Sequence, residues 1–144
     1  MGKKFKGSGN VDGFPMLNEG KYAFKVLSAQ YNEAKDNVEL NVVTQDGEKH
    51  REYYNLVKQS GEVNSFAVDT VIRLCSACLN NESLKKEELD IDWLPMIVGK
   101  YFVNEIQHNE YNGKTTAHLN PYKYEYASGF DAISQSDEDD LDNI

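Results

Sequence analysis

The sequence has few of the residue patterns that build catalytic or disulfide-stabilised proteins. Only two cysteines and three prolines occur among 144 residues, and two cysteines cannot form the disulfide framework of a small secreted domain. The chain carries no glycine-rich phosphate loop, no nucleophile-elbow motif and no His-Glu motif at helical metal spacing. We therefore expect a protein that is not an enzyme.

Apolar stretches are short throughout the chain. A membrane-spanning helix needs about 20 consecutive apolar residues, and no stretch approaches that length. The opening Met1-Gly2-Lys3-Lys4 is not followed by the apolar run of a signal peptide. The sequence predicts a single-domain cytoplasmic protein that is large enough to bury a core.

The two cysteines, Cys75 and Cys78, have the spacing of a redox or zinc pair. Both fall on the apolar face of a predicted helix, where a cysteine commonly acts as a small hydrophobic residue. A structural zinc ion needs four ligands, and His50, His108 and His118 lie on different predicted strands. We interpret the cysteines as core residues and predict no metal and no cofactor.

Negative charge is concentrated at one end of the chain. The formal net charge is -9, with 24 acidic and 15 basic residues, and beyond Ala127 there are six acids and no lysine or arginine. Those six acids are Asp131, Asp137, Glu138, Asp139, Asp140 and Asp142. The rest of the chain carries only about -3, so one of its faces can still be basic.

Within this acidic end, the run from Asp137 to Ile144 carries two apolar residues, Leu141 and Ile144. Low hydrophobicity and self-repulsion predict a disordered tail over residues 128–144. One interpretation is a solubility tail. The other is a partner-recruiting tail whose acids are attracted to a basic pocket while the apolar residues anchor it. The candidate partner-binding residues are Asp137, Glu138, Asp139, Asp140, Leu141, Asp142 and Ile144.

Alternation and turn residues predict five strands and one helix. The predicted strands are 21–31, 38–43, 49–56, 99–110 and 114–124, and the helix runs from about 65 to 80. Gln45-Asp46-Gly47 and Asn112-Gly113 are typical of tight hairpin turns. Residues 1–16 are predicted to be a flexible basic arm, followed by a folded domain over 17–127.

Three strands, a helix and two further strands are the element order of the OB-fold, a partly open five-stranded barrel that binds oligonucleotides across its second and third strands. We therefore expect a mainly β protein with an OB-fold-like barrel and one helix between its third and fourth strands. An α+β sheet with one covering helix is the alternative.

Cations and aromatic rings alternate along several predicted strands. If Tyr54 and Leu56 face inward, then Lys49, Arg51 and Tyr53 all face outward. Single-stranded nucleic acid needs cations for its phosphates and flat rings for its unpaired bases. The candidate DNA-binding residues are Lys21, Lys25, Tyr31, Lys35, Lys49, Arg51, Tyr53, Lys100, Phe102, Tyr111, Lys114, His118 and Tyr122. Of the adjacent Tyr101 and Phe102 only one can face outward, and alternation alone does not choose between them.

Three segments carry a family resemblance. They are Leu17-Asn18-Glu19-Gly20-Lys21-Tyr22-Ala23-Phe24-Lys25-Val26, Val98-Gly99-Lys100 and Glu110-Tyr111-Asn112-Gly113-Lys114, together with the central helix. Over residues 17 to 125 the chain resembles the small single-stranded-DNA-binding proteins encoded by bacteriophages of Gram-positive hosts.

The resemblance implies an OB-fold, sequence-independent binding and protection of single-stranded DNA during phage DNA replication or recombination, and a location in the infected bacterial cell. It also implies an acidic tail that recruits replication or recombination proteins, and it allows a homo-oligomer. The related tails usually end in an aromatic residue, whereas this chain ends in Ile144. Two alternatives remain: an acidic DNA mimic that inhibits a DNA-binding enzyme, and a protein-interaction scaffold.

Overall fold

Six strands and three helical segments form the part of the chain that the structure, a computed structural model, describes: residues 2–5 and 16–131. The strands are β1 (Gly20–Asn32), β2 (Asn37–Thr44), β3 (Lys49–Asn55), β4 (Tyr101–Tyr111), β5 (Lys114–Leu119) and β6 (Glu125–Ala127). The helices are α1 (Ser65–Leu79), a short 3₁₀ helix (Glu82–Lys86) and α2 (Trp93–Ile97). The expectation of a mainly β protein with one main helix is confirmed.

All strands belong to one antiparallel sheet with the order β3-β2-β1-β4-β5, and β6 extends the sheet by pairing with the start of β4. The long strand β1 is shared by β2 and β4. Its ladder with β2 shifts register between Val26 and Ser28, and the Val26 backbone also bonds the 99–100 segment. In the described residues no backbone ladder joins β3 to β5, so the sheet is not closed.

The core lies between the inner face of the sheet and α1. Phe24 and Phe102, which are paired across β1 and β4, are fully buried and stack with ring centroids 5.4 Å apart. From the helix side, Val71 and Leu74 are also fully buried. Burying side chains of this size contributes about 1.5–3 kcal/mol each, which makes this layer the main stabilising element.

The ends of α1 follow from its capping residues. The Asn64 side chain accepts a hydrogen bond from the Ala67 N–H at 3.3 Å, as an N-cap does. Asn80 adopts the left-handed conformation (φ 50°) that ends many helices. Both predicted ends of the helix are therefore confirmed.

The two cysteines are buried on α1, as predicted, and neither forms a disulfide. Burial raises the pKa of the Cys75 thiol to about 12 and raises the pKa of the Cys78 thiol as well. Among the described residues, no group of three or more metal-ligating side chains comes together.

The last predicted strand is wrong in its length. The Asn112-Gly113 turn forms as expected, with positive φ angles of 52° and 75°. However, β5 ends at Leu119 and not at 124, because Pro121 follows closely and has no N–H to donate to a ladder. The chain then turns and returns along β4 as β6, a strand that the sequence analysis did not predict.

The predicted domain boundaries can be compared with the packing at each end. Leu17 is buried, so packing begins where expected, whereas residues 6–15 of the predicted arm lie outside the described residues. At the other end, Phe130 packs its ring edge-on against Tyr101, with centroids 5.0 Å apart. Packing therefore extends a few residues beyond the expected boundary at Ala127.

The predicted partner-binding residues cannot be placed, because 132–144 lie outside the described residues. Those residues are Asp137, Glu138, Asp139, Asp140, Leu141, Asp142 and Ile144. Where the structure describes the chain, none of its helices combines the length and the apolar character needed to cross a membrane.

Candidate nucleic-acid interface

One row of side chains crosses the outer face of the sheet from β4 to β3. In register, Tyr101 pairs with Lys25, Lys25 with Val43, and Val43 with Lys49. Residues paired in register project to the same side of a sheet, so the two lysines share a face. The Lys25 ammonium also lies 6.0 Å from the centroid of the Tyr101 ring, at the outer limit of a cation–π contact.

Arg51 lies on the same face, one row along. It pairs in register with Asn41, and its Nε donates a 3.1 Å hydrogen bond to the side-chain oxygen Oδ1 of Asn41. The same nitrogen lies 3.2 Å from a carboxylate oxygen of Glu39. Since both partners are about one-third exposed, the ion pair adds little stability, but it restrains the guanidinium and leaves Glu39 as a competitor for any phosphate.

Tyr53 follows on the next row, where it pairs in register with Glu39 and is 52% exposed. The predicted alternation along β3 is therefore confirmed. Lys49, Arg51 and Tyr53 are accessible, whereas Tyr54, which faces the core, is buried. We call Lys25, Lys49, Arg51 and Tyr53 the cationic face.

Glu52, on the inner side of β3, bridges the gap to β5. One carboxylate oxygen accepts a 2.6 Å hydrogen bond from the Leu119 N–H and lies 3.1 Å from His50 Nε2. The other lies 2.8 Å from Nδ1 of His118. A buried carboxylate requires such partners, and here two of them come from β5. We call the gap between β3 and β5 the seam.

The seam perturbs the protonation of two of its members. Burial favours the neutral form of Glu52, but hydrogen bonds from His118, from His50 and from the Leu119 N–H outweigh it and hold the pKa of Glu52 below its usual value. The hydrogen bond to Glu52 raises the pKa of His118, against the opposing effect of partial burial. The ionised carboxylate and the protonated imidazole therefore favour each other.

A second bridge crosses the seam between two tyrosines. The hydroxyl groups of Tyr54, on β3, and Tyr124, after β5, are 2.7 Å apart. Burial raises the pKa of both phenols, so both stay neutral and able to donate. Together with Glu52, this contact holds the edges of β3 and β5 close although no ladder joins them.

A groove of about 310 Å³ opens above the seam, between β3, β5 and the start of α1. We call it the seam groove, and its lining residues are Glu52, Tyr53, Tyr54, Asn55, Asn64, Phe66, Ala67, Thr70, Asn109, His118, Leu119, Pro121 and Tyr124. Tyr53 belongs to both the groove and the cationic face, so the two surfaces are continuous.

Phe66 is a groove residue that was not among the predicted binding candidates. It lies in the first turn of α1, and its side chain is 52% exposed. At 100° per residue, Phe66 lies about 110° from the centre of the buried face formed by Val71, Leu74 and Cys78, and a helical wheel centred on those residues could have identified it.

Tyr122 lies beside this groove and is 66% exposed. Its ring meets Phe66 edge-on with centroids 5.9 Å apart. The Arg73 guanidinium lies 4.8 Å from the Tyr122 centroid and donates to the Pro121 carbonyl at 3.2 Å. The predicted candidate Tyr122 is therefore accessible and held in place by α1, as a stacking platform requires.

Two of the predicted binding residues face the core instead. Phe102 is fully buried between Phe24 and Tyr124, so its ring is not available to a ligand, and Tyr101 is the partly exposed member of that adjacent pair. Tyr31 packs against the core cluster while its hydroxyl donates to the Asp36 carboxylate. The inclusion of Phe102 among the binding candidates is wrong.

The remaining candidates are accessible but lie at other places. Lys21 is on the outer face of β1 opposite Glu105, Lys35 is in the β1–β2 turn, and Lys100 immediately precedes β4. Tyr111 and Lys114 pair with each other at the tip of the β4–β5 hairpin, where Tyr111 is 79% exposed.

The sequence was also compared with protein-family models and with curated proteins. No family model matches the sequence, and no curated protein matches it either.

Proposed function

We propose that this protein binds single-stranded DNA without sequence preference, and protects it, through the cationic face. The observation that carries the proposal is that Lys25, Lys49 and Arg51 share one outward face with Tyr53. Neighbouring strands are about 4.8 Å apart, so the cations follow a path of phosphates while the exposed ring offers a stacking surface. Such binding ignores sequence, because every base has a π-face.

We also propose that the sheet is an OB-type barrel left open along the seam. In the described part of the chain, β1 is flanked by β2 and β4, so β3 lies at one edge of the sheet and β5, with β6 alongside it on β4, lies at the other. Glu52 contacts residues 118–119, and Tyr54 contacts Tyr124 further along the chain. The later residue on β3 contacts the later residue after β5, which supports a parallel approach of the two edges. In addition, α1 lies between β3 and β4 in the chain, as in the element order of the OB-fold.

The biological setting of the proposal rests on the sequence resemblance. We place the protein in the cytoplasm of a phage-infected bacterial cell, where it coats single-stranded DNA during phage replication or recombination, with no catalytic step of its own. The acidic end, 128–144, is proposed to recruit replication or recombination proteins, since the carboxylates between Asp137 and Asp142, together with the apolar Leu141 and Ile144, suit a basic pocket on a partner.

The test is a titration of the protein with oligo-dT, followed by tyrosine and tryptophan fluorescence at several salt concentrations. We expect quenching, similar affinities for oligo-dT and mixed sequences, and weaker binding with rising salt, with a slope of about -0.7 per phosphate contact. Absence of binding at low salt would remove the proposal and favour the DNA mimic or the scaffold. Deletion of residues 136–144 is expected to tighten DNA binding, because a tethered polyanion competes with DNA for the same cations.

A further inference from the structure

The seam groove differs in chemistry from the cationic face that it adjoins. None of its lining residues is a lysine or an arginine, and its floor carries the Glu52 carboxylate. The one histidine that lines it, His118, is already hydrogen-bonded to the Glu52 carboxylate, so the groove offers a phosphate no unpaired positive charge. The groove therefore disfavours the charged backbone of a nucleic acid and accepts a neutral group.

The walls of the groove suit a flat ring. Tyr53 and Phe66 are each 52% exposed at its opening, and the rings of Tyr54 and Tyr124 lie deeper. A volume of about 310 Å³ is at the lower end of the range of small-molecule pockets and is too small for a length of DNA strand.

Two amide side chains give the groove polar groups without base selectivity. Asn55 and Asn109 both line it, and within the described residues neither side-chain amide has a hydrogen-bond partner. An amide offers donors and an acceptor at once, and a flip about its terminal torsion exchanges them, so it can match the donors or acceptors on the edge of any base.

An added peptide strand fits the same groove poorly. Strand addition needs backbone N–H and C=O groups that are free along an edge. The Leu119 N–H is already bonded to Glu52, whose side chain occupies the space between the two edges. The Tyr54–Tyr124 contact blocks the next position along the seam.

We infer that the seam groove holds one unpaired nucleobase of the bound strand. The base stacks on Phe66 and Tyr53, its edge faces Asn55 and Asn109, and its phosphates stay outside on the cationic face. This inference rests on the proposed function and deepens it, because it assigns to α1 a part in DNA binding: Phe66 becomes a contact residue.

The first experiment uses the wild-type protein and oligo-dT in which single thymines are replaced by 5-iodouracil. Irradiation cross-links such a base to an aromatic ring that it touches, and mass spectrometry locates the modified residue. We expect cross-links at Phe66. Cross-links confined to rings outside the groove, such as Tyr111 or Tyr101, would overturn the inference while leaving the proposed function standing.

The second experiment compares Phe66→Leu with Tyr126→Leu. Tyr126 is 50% exposed on β6 and does not line the seam groove, so it is a matched control for loss of an exposed ring. Stacking is worth about 1–3 kcal/mol per base, so we expect Phe66→Leu to weaken oligo-dT binding at least about fivefold, with an unchanged salt slope.

The outcomes separate the two claims. If wild-type protein binds oligo-dT but Phe66→Leu and Tyr126→Leu bind equally well, the groove does not hold a base and only the inference fails. If wild-type protein does not bind oligo-dT at all, the proposed function fails, and the inference fails with it. Should Phe66→Leu fold poorly by circular dichroism, the wild-type cross-linking decides.

Discussion

A carboxylate oxygen of Glu52 lies 2.6 Å from the backbone nitrogen of Leu119, although the two residues are 67 positions apart in the chain. A side chain of β3 thus accepts the hydrogen bond that a strand carbonyl would accept in a closed barrel. Such a bond can be adjusted by protonation, which a backbone ladder cannot, and it places a titratable group at the join between two strands.

The first prediction concerns the pH dependence of stability. The raised pKa of His118 gives a stabilisation that is complete below its ordinary pKa of 6.5 and is lost as pH rises through the folded value. The lowered pKa of Glu52 gives a second stabilisation, which is complete above the ordinary pKa of 4.5 and is lost as pH falls through the pKa of Glu52 in the folded protein. Their joint contribution to the free energy of unfolding should be largest between about pH 4.5 and 6.5.

Glu52→Gln tests this directly by urea unfolding at several pH values. We expect a loss of about 1.5–3 kcal/mol near pH 5.5, since hydrogen bonds to a charged group are removed, and a smaller loss at pH 8.5. Glu105→Gln is the control, because Glu105 makes only an exposed ion pair with Lys123. An equal loss at both pH values would contradict the coupling of Glu52 to His118.

The second prediction concerns the two tyrosines of the seam. Tyr54→Phe or Tyr124→Phe removes one hydroxyl and leaves the other buried without its partner, so each change should lower the free energy of unfolding by about 1–3 kcal/mol. The double variant removes both hydroxyls and should lose less than the sum of the two single losses. Strict additivity in a double-mutant cycle would show that the 2.7 Å contact contributes no coupling.

The third prediction concerns the cations of the outer sheet face. Lys49→Ala should weaken oligo-dT binding and reduce the salt slope by about 0.7, because one phosphate contact is lost. Lys85→Ala is the matched control, since Lys85 lies on the 3₁₀ helix in an exposed pair with Glu82. Equal salt slopes for the two variants would exclude Lys49 from the interface.

The fourth prediction concerns the hairpin tip. Tyr111 is 79% exposed, so Tyr111→Ala should leave the free energy of unfolding within about 0.5 kcal/mol of wild type. If the tip folds over bound DNA, affinity should fall by about 1–3 kcal/mol, the usual value of one stacked base. Unchanged affinity, measured by fluorescence anisotropy, would restrict the interface to the cationic face and the seam groove.

The fifth prediction concerns thiol reactivity. The pKa of Cys75 is raised to about 12 by burial, and Cys78 is also buried, so at pH 8 almost no thiolate is present or accessible. Both thiols should resist Ellman's reagent in the native protein and react at once in urea. Rapid reaction of a thiol in the native protein would contradict the packing of α1.

Local patterns were enough to predict which way β3 faces. Tyr54 and Leu56 required burial, so the alternation placed Lys49, Arg51 and Tyr53 outside. The same alternation put Glu52 inside, which indicates that a buried carboxylate needs partners, but nothing local indicates that those partners are residues 118 and 119. That contact depends on how the whole sheet curves, which no short window of sequence contains.

Where two choices were locally equivalent, tertiary packing decided. Tyr101 and Phe102 are adjacent and both aromatic, and Phe102 is the buried one because it faces Phe24 across the ladder. Phe66 shows the reverse case: an apolar residue on an amphipathic helix remained exposed, since it lies about 110° from the centre of the buried face of α1. Sequence patterns show how often a buried position recurs along an element, whereas packing against neighbouring elements decides which residues occupy the buried positions.

The contact between Phe130 and Tyr101 has a practical consequence for anyone preparing this protein. Because Tyr101 pairs with Lys25 in the row that leads to Lys49, Phe130, near the last described residue, lies next to the cationic face. Thirteen residues, 132–144, follow, and they can reach at most about 45 Å. A purification tag or fluorophore attached at the carboxyl terminus is therefore close enough to contact that face. Binding constants measured with such a label should be checked after the label is removed.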